Sequence, residues 1–165
     1  MSKHDGANPT RGQRRGFGRL EVVRPADATG GALVEFRATY PAQQRPPPPH
    51  YHPAQEEHFK VLAGRLTAFV GGKSLVFKQS DEFDVAAGTV HKMWNEGDVE
   101  AVLSWQIRPA LRSQEFLTAM WASRSLLDQL LLIRKYRSEY RLAQPPALLQ
   151  GILFVLLAPF ARRSR

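Results

Sequence analysis

The sequence predicts a mainly β fold, a single antiparallel β-barrel of the jelly-roll kind, followed by C-terminal α-helices. Three observations carry this expectation. Short β-type runs recur between turn residues from Leu20 to Arg108, at the spacing of a sandwich or barrel. The run Ala101–Arg108 alternates strictly, with Ala101, Leu103, Trp105 and Ile107 on one face and Val102, Ser104, Gln106 and Arg108 on the other. Beyond Pro109 the apolar residues switch to three- and four-residue intervals, the period of helices. A chain of 165 residues suits one domain plus appendages. The expected division is a basic arm over 1–19, a barrel over 20–110 and a helical extension over 111–165.

The elements follow in order. Leu20–Val23 and Ala32–Tyr40 are expected to form an opening hairpin, separated by the turn signals at Pro25 and at Gly30-Gly31. The prolines from Pro46 to Pro49 carry the chain extended into His50, since proline fixes φ and removes a donor. Strands are expected at Phe59–Leu62, Arg65–Val70, Leu75–Lys78, Glu82–Val85, His91–Trp94 and Ala101–Arg108, with a hairpin turn at Gly71-Gly72-Lys73. Helices are expected over Ser113–Trp121 and Leu126–Tyr140. A third short helix should follow the Pro145-Pro146 pair, from Ala147 to about Ala158.

The chain has no cysteine, which excludes disulfides, thiolate nucleophiles, zinc fingers and iron–sulfur clusters. Its formal net charge of +8 sits at the two ends. The arginines of the N-terminal arm are not interleaved with stacking aromatics beyond Phe17, so this Gly-rich stretch reads as a disordered solubilising tail and no specific nucleic-acid partner is expected. That stretch also lacks the apolar segment of a secretory signal, making cytoplasmic residence the expectation. The segment 147–158 is apolar nearly all round but too short for the roughly twenty residues that span a bilayer. Burial against the barrel or a partner subunit is the first reading, and peripheral membrane contact through 147–165 is the alternative.

The chemistry concentrates in residues 50–64, HYHPAQEEHFKVLAG. His50 and His52 are two apart, so on an extended strand both imidazoles leave the same face. Pro53 interrupts the strand, and the next pleat takes its own phase. Glu57, Phe59 and Val61 then share the inward face while His58 and Lys60 point away. Further on, His91 and Met93 share a face opposite Lys92 and Trp94. Three neutral imidazoles and one carboxylate suit one divalent transition metal, Mn, Fe, Co, Ni, Cu or Zn, with open coordination positions left over.

This arrangement resembles the cupin superfamily, in particular its single-domain, quercetin-dioxygenase-like members. The first cupin motif is matched by His50, His52, Glu57 and Gly64, and the second by Gly88, His91 and Asn95. Ala86 stands where the second motif has proline, and Gln79-Ser80 where an earlier glycine is usual. The resemblance covers about residues 20 to 110. It implies that His50, His52, Glu57 and His91 hold the metal, and that Gly64, Gly88 and Asn95 shape turns.

The implied function is a metal-binding protein acting on a small organic molecule, with dioxygenase-like oxidoreductase chemistry favoured and Glu57 also serving as a catalytic base. A metal-dependent isomerase or cyclase is one alternative, and a non-catalytic metal or small-molecule binding module is another. Phe59, Val61, Phe83, Met93, Leu103 and Trp105 are the candidate pocket wall, although each would serve equally as barrel core. By analogy with cupins, and from the apolar 147–158 segment, a homodimer is expected.

Overall fold

A computed structural model describes residues 18–145. The expected arm and the expected helix at 147–158 therefore lie outside the described residues, apart from the arm's last two positions. The described chain runs β1 (Arg19–Arg24), a 3-10 turn (Asp27–Thr29), β2 (Val34–Tyr40), β3 (His50–Tyr51), β4 (Glu56–Ala63), β5 (Arg65–Val70), β6 (Lys73–Lys78), β7 (Glu82–Val85), β8 (His91–Trp94), β9 (Ala101–Arg108), α1 (Ser113–Ala122), α2 (Leu126–Lys135) and β10 (Arg141–Leu142). All pairings are antiparallel. One five-stranded sheet has the order β1-β2-β9-β4-β7, and the other β10-β3-β8-β5-β6. Apart from the hairpins β1–β2 and β5–β6, which each stay in one sheet, consecutive strands alternate between sheets, the jelly-roll form of a β-barrel.

Pleat parity decides what fills the space between the sheets. Val34, Phe36, Ala38 and Tyr40 of β2 point inward, as do Phe59 and Val61 of β4 and the odd-numbered residues of β9 from Ala101 to Ile107. Phe36 and Phe59 are fully buried and Trp105 nearly so, and the Trp105 ring lies 5.7 Å from Phe36 and 5.6 Å from Phe59. Burying one such ring contributes about 2–3 kcal/mol before packing is counted. The same core continues through Ala110 into Phe116, Leu117 and Met120 of α1, and on to Ile133 and Tyr136. The helices therefore share the barrel's core.

The β4–β5 corner is tight. Gly64 has φ +75°, and a Cβ there would meet the Glu100 carbonyl oxygen at 2.5 Å. Only glycine both adopts this conformation freely and allows the approach. The hairpin at Gly71-Gly72 is observed as expected, with positive φ at both residues.

One expected element is corrected. The second helix does not reach Tyr140: it starts at its Ser125 cap, whose hydroxyl accepts from the Asp128 N–H at 3.0 Å, and ends at Lys135. The chain then turns, Tyr140 N–H bonding the Tyr136 carbonyl at 3.0 Å, and enters β10. There Arg141 pairs with Tyr51 and Leu142 with His50. The backbone edge of β3 and a buried Glu139 outweigh the helical periodicity of this stretch. No helix of the described residues is long and apolar enough to cross a membrane.

Candidate metal centre

His50 lies in β3, directly opposite His91 of β8, and His52 follows one residue after β3 ends. One nitrogen from each of these three imidazoles lies within 4.8 Å of the other two. Ring centroids are 4.4 Å apart for His50 and His91, 5.5 Å for His50 and His52, and 5.4 Å for His52 and His91. His52 and His91 are buried and His50 is half-buried. Glu57 reaches the cluster from β4 in the opposite sheet. Its Oε1 is 3.2 Å from His52 Nε2, and its Oε2 is 2.8 Å from His91 Nε2.

Each imidazole has a backbone carbonyl at Nδ1. His50 meets Pro48 O at 3.3 Å, His91 meets Thr89 O at 2.9 Å, and His52 meets Glu139 O at 2.6 Å. This contact places the proton on Nδ1 and turns Nε2 inward as a lone-pair donor. His52 Nε2, His91 Nε2 and Glu57 Oε2 are buried without an aligned hydrogen bond. Their mutual approach is close enough for charge attraction but is not directed atom to atom. Such orphaned buried groups are costly, and a shared cation satisfies all of them. The donor set of imidazole nitrogen and carboxylate oxygen fits a divalent transition metal.

The electrostatics follow from burial. Desolvation holds the His50 imidazole well below its ordinary pKa, helped by the charges of His91 and His52. Burial also disfavours a charged His52, but the Glu57 charge, contact with that carboxylate and the Glu139 carbonyl together raise it. Glu57 is pushed upward by burial, yet its interactions with His52 and His91 hold it well below the usual carboxylate range. Its charge is steadied by Trp105, whose Nε1 donates to Oε1 at 3.1 Å. Tyr40 and Tyr140 are both raised, by burial first and then by Glu57, so both phenols near the site stay protonated.

His50, His52 and His91 thus converge as the pleat argument expects, and Glu57 lies against two of them. Of the candidate pocket residues, Phe59, Val61 and Leu103 have no exposed surface, Met93 is nearly buried and Phe83 packs on the core edge beside Phe59. Trp105 touches Glu57. Sequence reasoning missed Tyr40 and Tyr140. Tyr40 shares the pleat parity of Val34, Phe36 and Ala38 and was legible as an inward residue. Tyr140, stacked on His50 at 4.5 Å and 22°, was hidden in an apparent helix. An open groove of about 720 Å³, lined by Pro48, Pro49, Ala143, Gln144 and Pro145, runs beside the β3–β10 pair.

Facing antiparallel sheets with an inward imidazole cluster have the form of a double-stranded β-helix with a candidate three-histidine metal site. Residues 36–107 match the family model of the cupin domain, and the helices α1 and α2 follow that matched stretch. The matched stretch contains His50, His52, Glu57 and His91. Among solved structures the fold is similar to an uncharacterized conserved protein with a double-stranded β-helix domain from Klebsiella pneumoniae, at 20% identity and TM-score 0.52, over 60% of this chain and 83% of that one. It is also similar to a predicted oxalate decarboxylase from Thermotoga maritima, at 19% identity and TM-score 0.52, over 55% of this chain and 78% of that one. These likenesses concern the fold alone. In sequence, 60 residues are 30% identical to the tetracenomycin polyketide synthase protein TcmJ of Streptomyces glaucescens, over 36% of this chain and 40% of that protein. A further 37% identity over 49 residues links 29% of this chain to 19% of an oxidoreductase of Arthrobotrys oligospora. The chain therefore matches well under half the length of these curated relatives.

Proposed function

We propose that the chain binds one divalent transition metal through His50, His52 and His91, with Glu57 as fourth ligand, and uses it on a small organic molecule in dioxygenase-like oxidoreductase chemistry. The observation that carries the metal reading is the convergence of three carbonyl-anchored imidazoles on one buried carboxylate. The oxidoreductase reading is supported more coarsely, by the activity of the Arthrobotrys oligospora relative and by the donor set. When bound, the metal supplies Lewis-acid or redox chemistry at positions the protein leaves open.

The chain's own residues supply orientation and proton handling. The Nδ1 contacts fix the three rings, and Trp105 holds Glu57 Oε1 while Oε2 has no aligned donor. In the base role Glu57, an ionised carboxylate, would leave the metal to take a proton from a phenol or an enolisable carbon that enters beside it. Tyr140 stacks on His50 and lies between it and Phe116.

Metal analysis of protein purified without chelators, followed by oxygen-consumption assays with phenolic and dicarbonyl compounds, tests the proposal. The expected result is one equivalent of metal per chain, lost when His52 and His91 are both replaced by alanine. Glu57→Gln should lower turnover more than metal content. A chain that takes up neither cobalt nor zinc would sink the metal reading, and equal loss of metal and turnover in Glu57→Gln would sink the base role.

A further inference from the structure

His50 and His91 are oriented by carbonyls two residues earlier in the chain, those of Pro48 and Thr89, but His52 is not. Its Nδ1 contacts the carbonyl of Glu139, 87 residues further along the chain. Tyr140, the next residue, stacks on His50 and meets His52 edge-on at 5.7 Å. Leu142 and His50 then pair across the β10–β3 ladder, and Ala143 N–H donates to Pro49 O at 2.9 Å. Residues 139–143 therefore touch two of the three imidazoles and the strand that carries one of them.

The segment is held at one point by charge. Glu139 is nearly fully buried, and Arg112, just ahead of α1, grips its carboxylate with two nitrogens: Nε to Oε1 at 3.0 Å and Nη2 to Oε2 at 3.3 Å. The guanidinium also lies 4.9 Å from the centre of the Tyr136 ring. Ser138 Oγ donates to Glu139 Oε2 at 3.0 Å, a contact too weak to replace a cation beside a buried charge.

We propose that residues 136–142 are a clamp belonging to the metal centre and that Arg112 is its positioning residue, setting metal affinity through the Glu139 carbonyl and the Tyr140 ring. This rests on the metal reading above. Without Arg112, the Glu139 carboxylate is left buried without its cation. The cheapest relief is for residue 139 to swing toward water, which draws its carbonyl from His52 and the Tyr140 ring from His50. His52 then loses the acceptor that selects its tautomer and ring angle. With glutamine at 139 there is no charge to hydrate, so the segment stays in place whether or not Arg112 is present.

The test is cobalt(II) titration of chelator-treated protein, read by visible absorption, on the wild type, Arg112→Gln, Arg112→Lys, Glu139→Gln and the double variant Arg112→Gln/Glu139→Gln, with thermal melts confirming each is folded. Arg112→Gln should bind cobalt about 10–100-fold more weakly, the usual effect of losing a partner behind a metal-ligating histidine, with a changed visible band. Glu139→Gln should lose much less, and the double variant should recover most of the affinity lost in Arg112→Gln. A merely structural role would lower the melting temperature without this recovery. If Arg112→Gln does not fold, Arg112→Lys serves in its place, since a lysine makes one contact where arginine makes two and should give an intermediate affinity. Wild-type cobalt affinity and spectrum in the folded Arg112 variants would overturn the clamp while leaving the metal reading intact. Absence of cobalt binding in the wild type would overturn both.

Discussion

Trp105→Phe isolates one interaction of the candidate site, the indole N–H that donates to Glu57 Oε1 at 3.1 Å. Both partners are buried, Glu57 at 1% exposure and Trp105 at 5%. Deleting the donor leaves a desolvated carboxylate oxygen with only a misaligned imidazole nearby. A hydrogen bond to a charged group contributes about 1.5–3 kcal/mol, and the smaller ring forfeits about another 1 kcal/mol of packing against Phe36 and Phe59. The expected loss is about 3 kcal/mol, or about 10 °C in melting temperature for a chain of this size. Packing and hydrogen bonding are separated by a second substitution, Glu57→Met, which is similar in volume but orphans the indole N–H instead. With both changes together neither orphan remains, so the double variant should be more stable than the sum of the single losses predicts by about 2–3 kcal/mol. Urea unfolding of the chelated protein measures all four corners of the cycle. Additivity within about 0.5 kcal/mol would refute the claim that Trp105 steadies the Glu57 charge.

Metal affinity should rise with pH through the imidazole range, because a metal competes with protons for the imidazole nitrogens and the raised pKa of His52 carries that competition upward in pH. The sign for the metal-free fold is opposite: the raised His52 stabilises it at pH below its ordinary range and loses that contribution as pH rises through the raised value. The depressed Glu57 contributes above the ordinary carboxylate range and loses that only as pH falls through its low value. Cobalt titrations at about pH 6 and about pH 8 should differ by about tenfold, and a flat profile would count against a raised His52. Gly64→Ala meets both a positive φ and a backbone oxygen at 2.5 Å and should cost about 2–4 kcal/mol, whereas Gly72→Ala, with φ +90° and nothing within 4 Å, should cost only about 1–2 kcal/mol. Equal melting-temperature losses in the two variants would show that the close approach at Gly64 does not matter.

The strands were legible because pleat parity is a local property. His50 and His52 share a face by spacing alone, Pro53 breaks the strand before Glu57, and the alternation from Ala101 to Ile107 matches the buried set residue for residue. Strand ends were less legible: β4 begins at Glu56, three residues before its β-branched and aromatic run, because Glu56 and Glu57 pair with Arg108 and Ile107 of β9. The stretch after Lys135 was misread for a different reason. Leu132, Ile133, Tyr136 and Tyr140 keep a helical interval, and nothing local says that Tyr140 leaves the helix to cover an imidazole 90 positions earlier. That outcome depends on the open backbone edge of β3 and on Arg112, both remote in sequence.

The energetic character of the site bears on what it is for. A carboxylate and two imidazole nitrogens buried between aromatic-rich sheets, with three of their polar atoms lacking aligned partners, cost folding free energy that an apolar filling of the same volume would not. The surrounding barrel offsets this cost through Phe36, Phe59 and Trp105 and holds the site rigid through carbonyl contacts at all three imidazoles. Strain of that kind, supported from both sheets and from the returning C-terminal segment, is what a preorganised binding site requires. His50 is where that preorganisation meets solvent. It is the most exposed of the three imidazoles, it follows the groove residues Pro48 and Pro49 in the chain, and the Tyr140 ring stacks on it. The segment whose Glu139 carbonyl meets His52 thus also covers the most exposed imidazole.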